Sequence, residues 1–277
     1  MILYEYAAFC AAIFLDYKPV ADVTVQRDKL ESLPFGQLAT RQWLLANGLP
    51  RHAFDNAMKS KKLVALVRGV VARPGVPVDW EGLAASLSRM LGEPVYVGGM
   101  SALELAGLGH YLRPTRRIAL YSAAPCPSWL DKLDIGVELV WHSTRRLWRV
   151  GALQQAGSLK LQSGSGVAAY WLASPEQAML EVLADVPDTV SFEHADQLMQ
   201  GLTSLSPRRL DALLQGCRHV QVKRLFFFFA ARWNYRWFQR LNRADYDLGS
   251  GKRVVVKGGR LDRDYLITVP ESFHGRG

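Results

Sequence analysis

The chain has 277 residues, 49% hydrophobic and 21% charged, a balance that excludes wholesale disorder and a fibrous repeat. Its 34 Lys and Arg against 25 Asp and Glu leave a net charge of +9, which favours an anionic partner. Three scattered cysteines, Cys10, Cys126 and Cys217, exclude a disulfide framework and any CxxC metal or redox site, and suit a reducing cytosol.

In chain order, residues 1–24 come first. Their apolar stretch, Tyr6 to Leu15, is ten residues long, where a membrane span needs about 20. No basic segment precedes it and no small-residue cleavage site follows, so an N-terminal extension is expected, with no membrane segment and a cytoplasmic location. Three short helices are expected next, over 27–32, 39–46 and 50–60. The second stops at Asn47-Gly48, and Pro50 suits the first turn of the third. Leu63 to Arg73 is β-rich, bends at Gly69 and ends at Pro74-Gly75. Three helices and a ribbon are the order of a winged helix-turn-helix, expected over 25–92.

An amphipathic helix is predicted from Asp79 to Leu91, ending at Gly92, and a short one over 100–108. Strands are predicted near 116–122, 137–142 and 159–162, with loops at Pro125-Cys126-Pro127 and 163–166. From Ser174 the chain turns helical, over 174–184, 191–202, 206–216 and 220–240. Ser174, Ser191 and Ser206 are the expected caps. The run Phe226 to Phe229 belongs to a buried element. Val254–Val256 and Leu266–Val269 complete the chain as possible strands. The fold class expected is α+β: an N-terminal winged helix-turn-helix and a larger mixed α/β domain over 93–277.

The charge divides unevenly. Residues 1–75 have 10 basic and 6 acidic side chains, residues 76–204 have 9 and 13, and residues 205–277 have 15 and 6. Both ends are basic and the middle is acidic. If the ends share a face they form one positive surface; two separate solvated faces are the alternative.

At 100° per residue, Ala53, Phe54, Ala57 and Met58 gather on one side of the third helix. His52, Asp55, Asn56 and Lys59 fall on the other, with Arg51 near the start and Lys61 and Lys62 beyond the end. A recognition helix needs this arrangement: Arg pairs with guanine O6 and N7, and Asn with adenine N6 and N7. Arg68 at the ribbon bend suits the minor groove or a phosphate, and Arg41 and Gln42 suit backbone phosphates. An ordinary surface helix also turns its polar residues outward. Asp55 would repel phosphate unless it accepts from cytosine or orients a neighbour.

Several blocks then carry a resemblance: Val78-Asp79-Trp80, Pro94 to Leu105, His110-Tyr111-Leu112, Ser174-Pro175-Glu176-Gln177-Ala178, Ser191 to Asp196, Val222 to Phe226, Asp247 to Arg253 and Lys257 to Asp262. Over residues 25–273 the sequence resembles the AbiEi antitoxin family of bacterial abortive-infection type IV toxin–antitoxin systems. The resemblance implies a winged helix that binds inverted repeats in the promoter of its own operon and represses it. It also implies a C-terminal antitoxin domain acting against a nucleotidyltransferase-type toxin without requiring a stable complex. Carried over by position, DNA reading falls on Arg51, His52, Asn56, Lys59 and Arg68, and Lys223, Arg224, Lys252, Arg253, Lys257 and Arg260 would line an anionic surface facing DNA, RNA or toxin. Leu49-Pro50 stands where a Ser or Thr cap is usual, so the helix start can lie a residue away.

The enzymatic alternative is a nucleotidyltransferase-like site: Gly249-Ser250, eleven residues, then Asp262-Arg263-Asp264 as a metal-holding pair. Arg263 opposes it, because a strand residue between two ligands points into the core. Gly251-Lys252-Arg253 lacks the glycine spacing and hydroxyl of a P-loop. The histidines show no metal-ligand spacing. No cofactor, no metal and no catalytic residue are expected.

Overall fold

The computed structural model describes residues 30, 32–109, 117–164 and 168–273. The predicted N-terminal extension, nearly all of the helix expected over 27–32 and the block His110-Tyr111-Leu112 lie outside the described residues. Leu33–Gly277 forms one compact unit.

The unit opens with β1 (Leu38–Thr40), α1 (Arg41–Ala46), α2 (Arg51–Lys59), β2 (Val64–Val67) and β3 (Val70–Ala72). The second helix starts two residues later than its sequence suggested. Thr40 is its N-cap, the hydroxyl accepting from the Trp43 N–H at 3.1 Å, and this leaves Leu38–Thr40 free to pair with β3. Pro50 caps α2 without a side-chain hydrogen bond. β2 and β3 form a hairpin with Arg68-Gly69 at its tip, where Gly69 has φ 79° and glycine carries no steric cost. Strand order in this antiparallel sheet is β1-β3-β2.

α3 (Trp80–Leu91) follows, capped by Asp79 on the Gly82 N–H at 2.7 Å and closed by left-handed Gly92. It is tied to β1: the Leu38 N–H donates to Ser86 Oγ at 2.9 Å, and Arg89 donates to the Leu38 carbonyl at 3.1 Å. Arg89 also lies over the Trp43 ring at 5.0 Å, which anchors α1.

The second sheet is mixed, with order β6-β5-β4-β8-β7. Its members are β4 (Tyr96–Val97), β5 (Arg117–Ser122), β6 (Glu138–Ser143), β7 (Leu159–Ser163) and β8 (Ala169–Ala173). β4 pairs antiparallel with β5 and parallel with β8. Alternation sorts the side chains. Val95, Val97, Ile118, Leu120 and Tyr170 join Leu83, Leu87, Leu38 and Val70 in a core shared with α3 and the first sheet. Tyr96, Ala119, Tyr121 and Ala173 face the helical layer.

That layer comprises α4 (Gly99–Leu105), α5 (Ala152–Ala156), α6 (Pro175–Leu183), α7 (Phe192–Gly201), α8 (Pro207–Gly216) and α9 (Val220–Trp233). Ser174, Ser191 and Ser206 cap α6, α7 and α8. Phe226 to Phe229 are all buried in α9, which ends at left-handed Asn234, short of the helix expected to residue 240. The sheet and the helices are locked together at Glu181. Its carboxylate accepts from the Tyr96 hydroxyl (2.7 Å), the Gly99 N–H (2.8 Å) and the Gln177 amide (2.7 Å). Tyr121 stacks between Tyr96 and His142, at 5.6 and 4.5 Å.

The chain closes with the hairpin β9 (Arg260–Asp262) and β10 (Ile267–Val269). Val254–Val256 is not a strand. The N–H groups of Val255 and Val256 both donate to Thr268 Oγ1, so a hydroxyl takes the place of a ladder.

Candidate nucleic-acid interface

α2 buries Phe54 and Ala57 and half-buries Ala53 and Met58. That seating leaves Arg51, His52, Asp55, Asn56 and Lys59 exposed along the opposite side. Lys61 and Lys62 continue the exposed run in the turn after the helix, where Lys61 takes a left-handed φ of 55°. The hairpin tip carries Arg68, also exposed.

Arg41 and Gln42, the first two residues of α1, are exposed as well. Arg41 stands 3.8 Å from Asp55 and lies over the Phe54 ring at 5.3 Å. Asp55 therefore holds a cationic neighbour, which offsets the repulsion its carboxylate would exert on a phosphate. Both side chains are about half exposed, so the pair orients Arg41 and adds little stability. Arg51, Asn56 and Lys59 form no ion pair with another described residue.

The C-terminal basic group divides. Lys252, Arg253, Lys257 and Arg260 are exposed, Arg260 paired with Glu271 at 2.6 Å. Lys223 and Arg224 are corrected: they are 4% and 1% exposed and do not belong to any surface. α9 is apolar on every side, so both are carried into the interior, where Arg224 donates to four backbone carbonyls.

Sequence reading missed a further set. The antiparallel β-bridge between Trp148 and Cys217 sets Arg149 opposite Gly216 and Arg218 opposite Leu147, with Arg145 and Arg146 on the adjoining turn, and all four arginines are exposed. The signal available was the Arg-Arg-x-x-Arg spacing, hidden inside a segment whose overall charge is acidic. Cys217 itself is fully buried, and burial pushes its thiol up to about 11, as befits a packed side chain.

The carboxylate pair of the enzymatic alternative does not assemble on a strand. Asp262 ends β9 and its Oδ1 accepts from the Tyr265 N–H at 2.8 Å, closing the turn. Asp264 lies in that turn, beside exposed Arg263. Asp262 thus serves the hairpin turn, and Asp264 is exposed in it.

A short helix with donors on its outer side, beside a hairpin with a cationic tip, is the kind of surface that DNA-binding regulators present to a duplex. Two family models match the sequence: "Transcriptional regulator, AbiEi antitoxin N-terminal domain" over residues 26–114, and "Transcriptional regulator, AbiEi antitoxin, Type IV TA system" over residues 115–270. The chain belongs to the AbiEi antitoxin family, transcriptional regulators of type IV toxin–antitoxin systems. Among solved structures, the RV2827C protein from Mycobacterium tuberculosis is similar, at 19% identity over 89% of this chain and 92% of that one, with a TM-score of 0.47. No curated protein sequence matches. No helix of the described residues is long and apolar enough to cross a membrane.

Proposed function

We propose that the chain is the autorepressor and antitoxin of a two-gene operon, binding inverted repeats in its own promoter through a winged helix-turn-helix and neutralising a nucleotidyltransferase-type toxin. The observation that carries the DNA half is the exposed face of α2, with Arg51, His52, Asn56 and Lys59 toward solvent and Lys61, Lys62 and Arg68 extending it. Bases would be read by Arg51 and Asn56, and phosphates held by Lys59, Lys61, Lys62, Arg41 and Gln42, with Arg68 on the wing. α1, α2 and the β2–β3 hairpin follow one another in winged-helix order.

The division of labour we favour places DNA binding in residues 25–92 and antitoxin action in residues 93–277. The pairing of β4 with β5 and β8 supports a boundary ahead of residue 93, although the N-terminal family model extends to 114. The protein acts by binding and not as an enzyme, in the cytoplasm where promoter and toxin are found.

The test is a gel-shift titration on the protein's own upstream DNA at two salt concentrations, beside an Arg51→Ala/Lys59→Ala double variant. Specific binding that weakens with salt is expected. The variant should lose it by about tenfold or more, each good base contact being worth about 1–3 kcal/mol. Equal affinity for a random duplex would remove the repressor reading.

A further inference from the structure

The middle of the α2 face is held by an acid. Asp55 is the fifth of the nine residues of α2. Arg51 stands one turn before it and Lys59 one turn after, each about 40° around the helix from it. Neither cation pairs with it. Its ion-pair partner among the described residues is Arg41, the first residue of α1. Arg41 is itself fixed from two other sides. Its backbone N–H donates to the Gly69 carbonyl at the hairpin tip at 2.8 Å, and its guanidinium lies over the Phe54 ring at 5.3 Å. The counter-charge on Asp55 therefore comes from a second element and not from its neighbours on α2.

Arg41 Nη2 stands 3.8 Å from Asp55 Oδ1. That distance offsets charge without forming a hydrogen bond, which needs about 3.5 Å or less. No described residue donates a hydrogen bond to either oxygen of Asp55, and the side chain is 55% exposed. An exposed carboxylate between Arg51 and Lys59 weakens the attraction of this face for phosphates of any sequence. An acceptor with empty lone pairs gains only where a base offers it a donor. In the major groove those donors are cytosine N4 and adenine N6, while guanine and thymine of the remaining edges offer none. Adenine sets its N7 acceptor beside N6, which opposes the second carboxylate oxygen. Cytosine has no acceptor of its own there.

We propose that Asp55 is a specificity-determining residue: its carboxylate accepts from the N4 amine of a cytosine, and Arg41 supplies the counter-charge that lets it approach the duplex. The inference rests on α2 being the DNA-reading helix. It adds to Arg51 and Asn56 a residue that acts by rejecting sites with another base at its position.

Anisotropy titrations of the full chain test it on the upstream duplex, on duplexes in which each base pair of a half-site is changed in turn, and on a random duplex. Wild type, Asp55→Ala, Asp55→Asn and Arg41→Ala are compared, with thermal melts as the check on folding. Wild type should lose about tenfold when one particular C·G pair is changed. Asp55→Ala should be indifferent at that pair alone, and should bind the random duplex at least as tightly as wild type. Asp55→Asn should move the preference at that pair to adenine, whose N6 and N7 an amide matches. Wild-type preferences at every pair in Asp55→Ala would overturn the proposal. So would an even loss by Asp55→Ala across all duplexes, matching Arg41→Ala, because Asp55 would then act only by holding Arg41. Both results leave the reading of α2 standing. A wild type that does not prefer the upstream duplex to the random one overturns that reading and this proposal together.

Discussion

Burial acts on single charged side chains in opposite ways here. Arg224 stays charged because four carbonyls replace its water. The family resemblance carried Lys223 and Arg224 onto a surface, but the next four residues, Leu225 to Phe228, already marked a helix with no polar side. Glu181 has three donors, yet burial outweighs them and pushes its carboxyl from the ordinary 4.5 up to about 7. The unfolded chain therefore releases this proton at lower pH than the folded one. Between about 4.5 and 7 the folded state binds the extra proton, so Glu181's contribution to stability is complete below 4.5, falls as pH rises and is flat above 7. The difference amounts to about 3 kcal/mol. Glu181→Gln keeps the hydrogen-bonding outline without the titration. In urea unfolding from pH 4.5 to 8, wild-type stability minus that of Glu181→Gln should drop by about that amount across the window. A constant difference would show that Glu181 is ionised throughout. Subtraction matters because the His142 pKa is lowered by burial and moves stability the other way.

At the scale of elements, α3 sets the geometry on which the α2 face rests, since it holds β1 through Ser86 and Arg89. Its approach depends on Gly82: a Cβ there would stand 1.9 Å from the Gly36 carbonyl oxygen. Gly82→Ala must push the backbone apart and should destabilise the protein by about 2 kcal/mol, within the 1–3 of an overpacked contact. A thermal melt unchanged within a degree would show the contact to be slack. α3 was legible in the sequence, as were α6, α7 and α8, because each starts with a side chain that accepts a first-turn N–H and continues with a stripe of apolar residues. β4 and β8 were not. β4 has two residues, too few for a period, and β8 (Ala-Tyr-Trp-Leu-Ala) lacks alternation because it is covered on both faces in the interior of a mixed sheet. The outward face of α2 was legible because burial of Phe54 and Ala57 fixes the rotation of the helix. What the sequence could not show was the Arg41–Asp55 pairing, which depends on how two helices are placed.

For the whole molecule, charge along the chain is a poor guide to charge on the surface. The middle segment is acidic by count, but Glu81, Glu176 and Glu181 are buried, while Arg145, Arg146 and Arg149 stand exposed. Exposed basic side chains thus occur at α2, at the 145–149 turn and in the C-terminal loop. The two carboxylates nearest a reaction-centre motif, Asp262 and Asp264, are hairpin residues. An Asp262→Asn/Asp264→Asn double variant keeps an Oδ1 to accept the Tyr265 N–H, and the Arg243 bond to residue 264 uses the backbone carbonyl, so the hairpin should survive. If antitoxin action resides in binding surfaces, cells expressing the cognate toxin should be rescued equally by wild type and by this variant, with equal folding confirmed by circular dichroism. Loss of rescue by a folded variant would place chemistry at those carboxylates and return the catalytic reading to consideration.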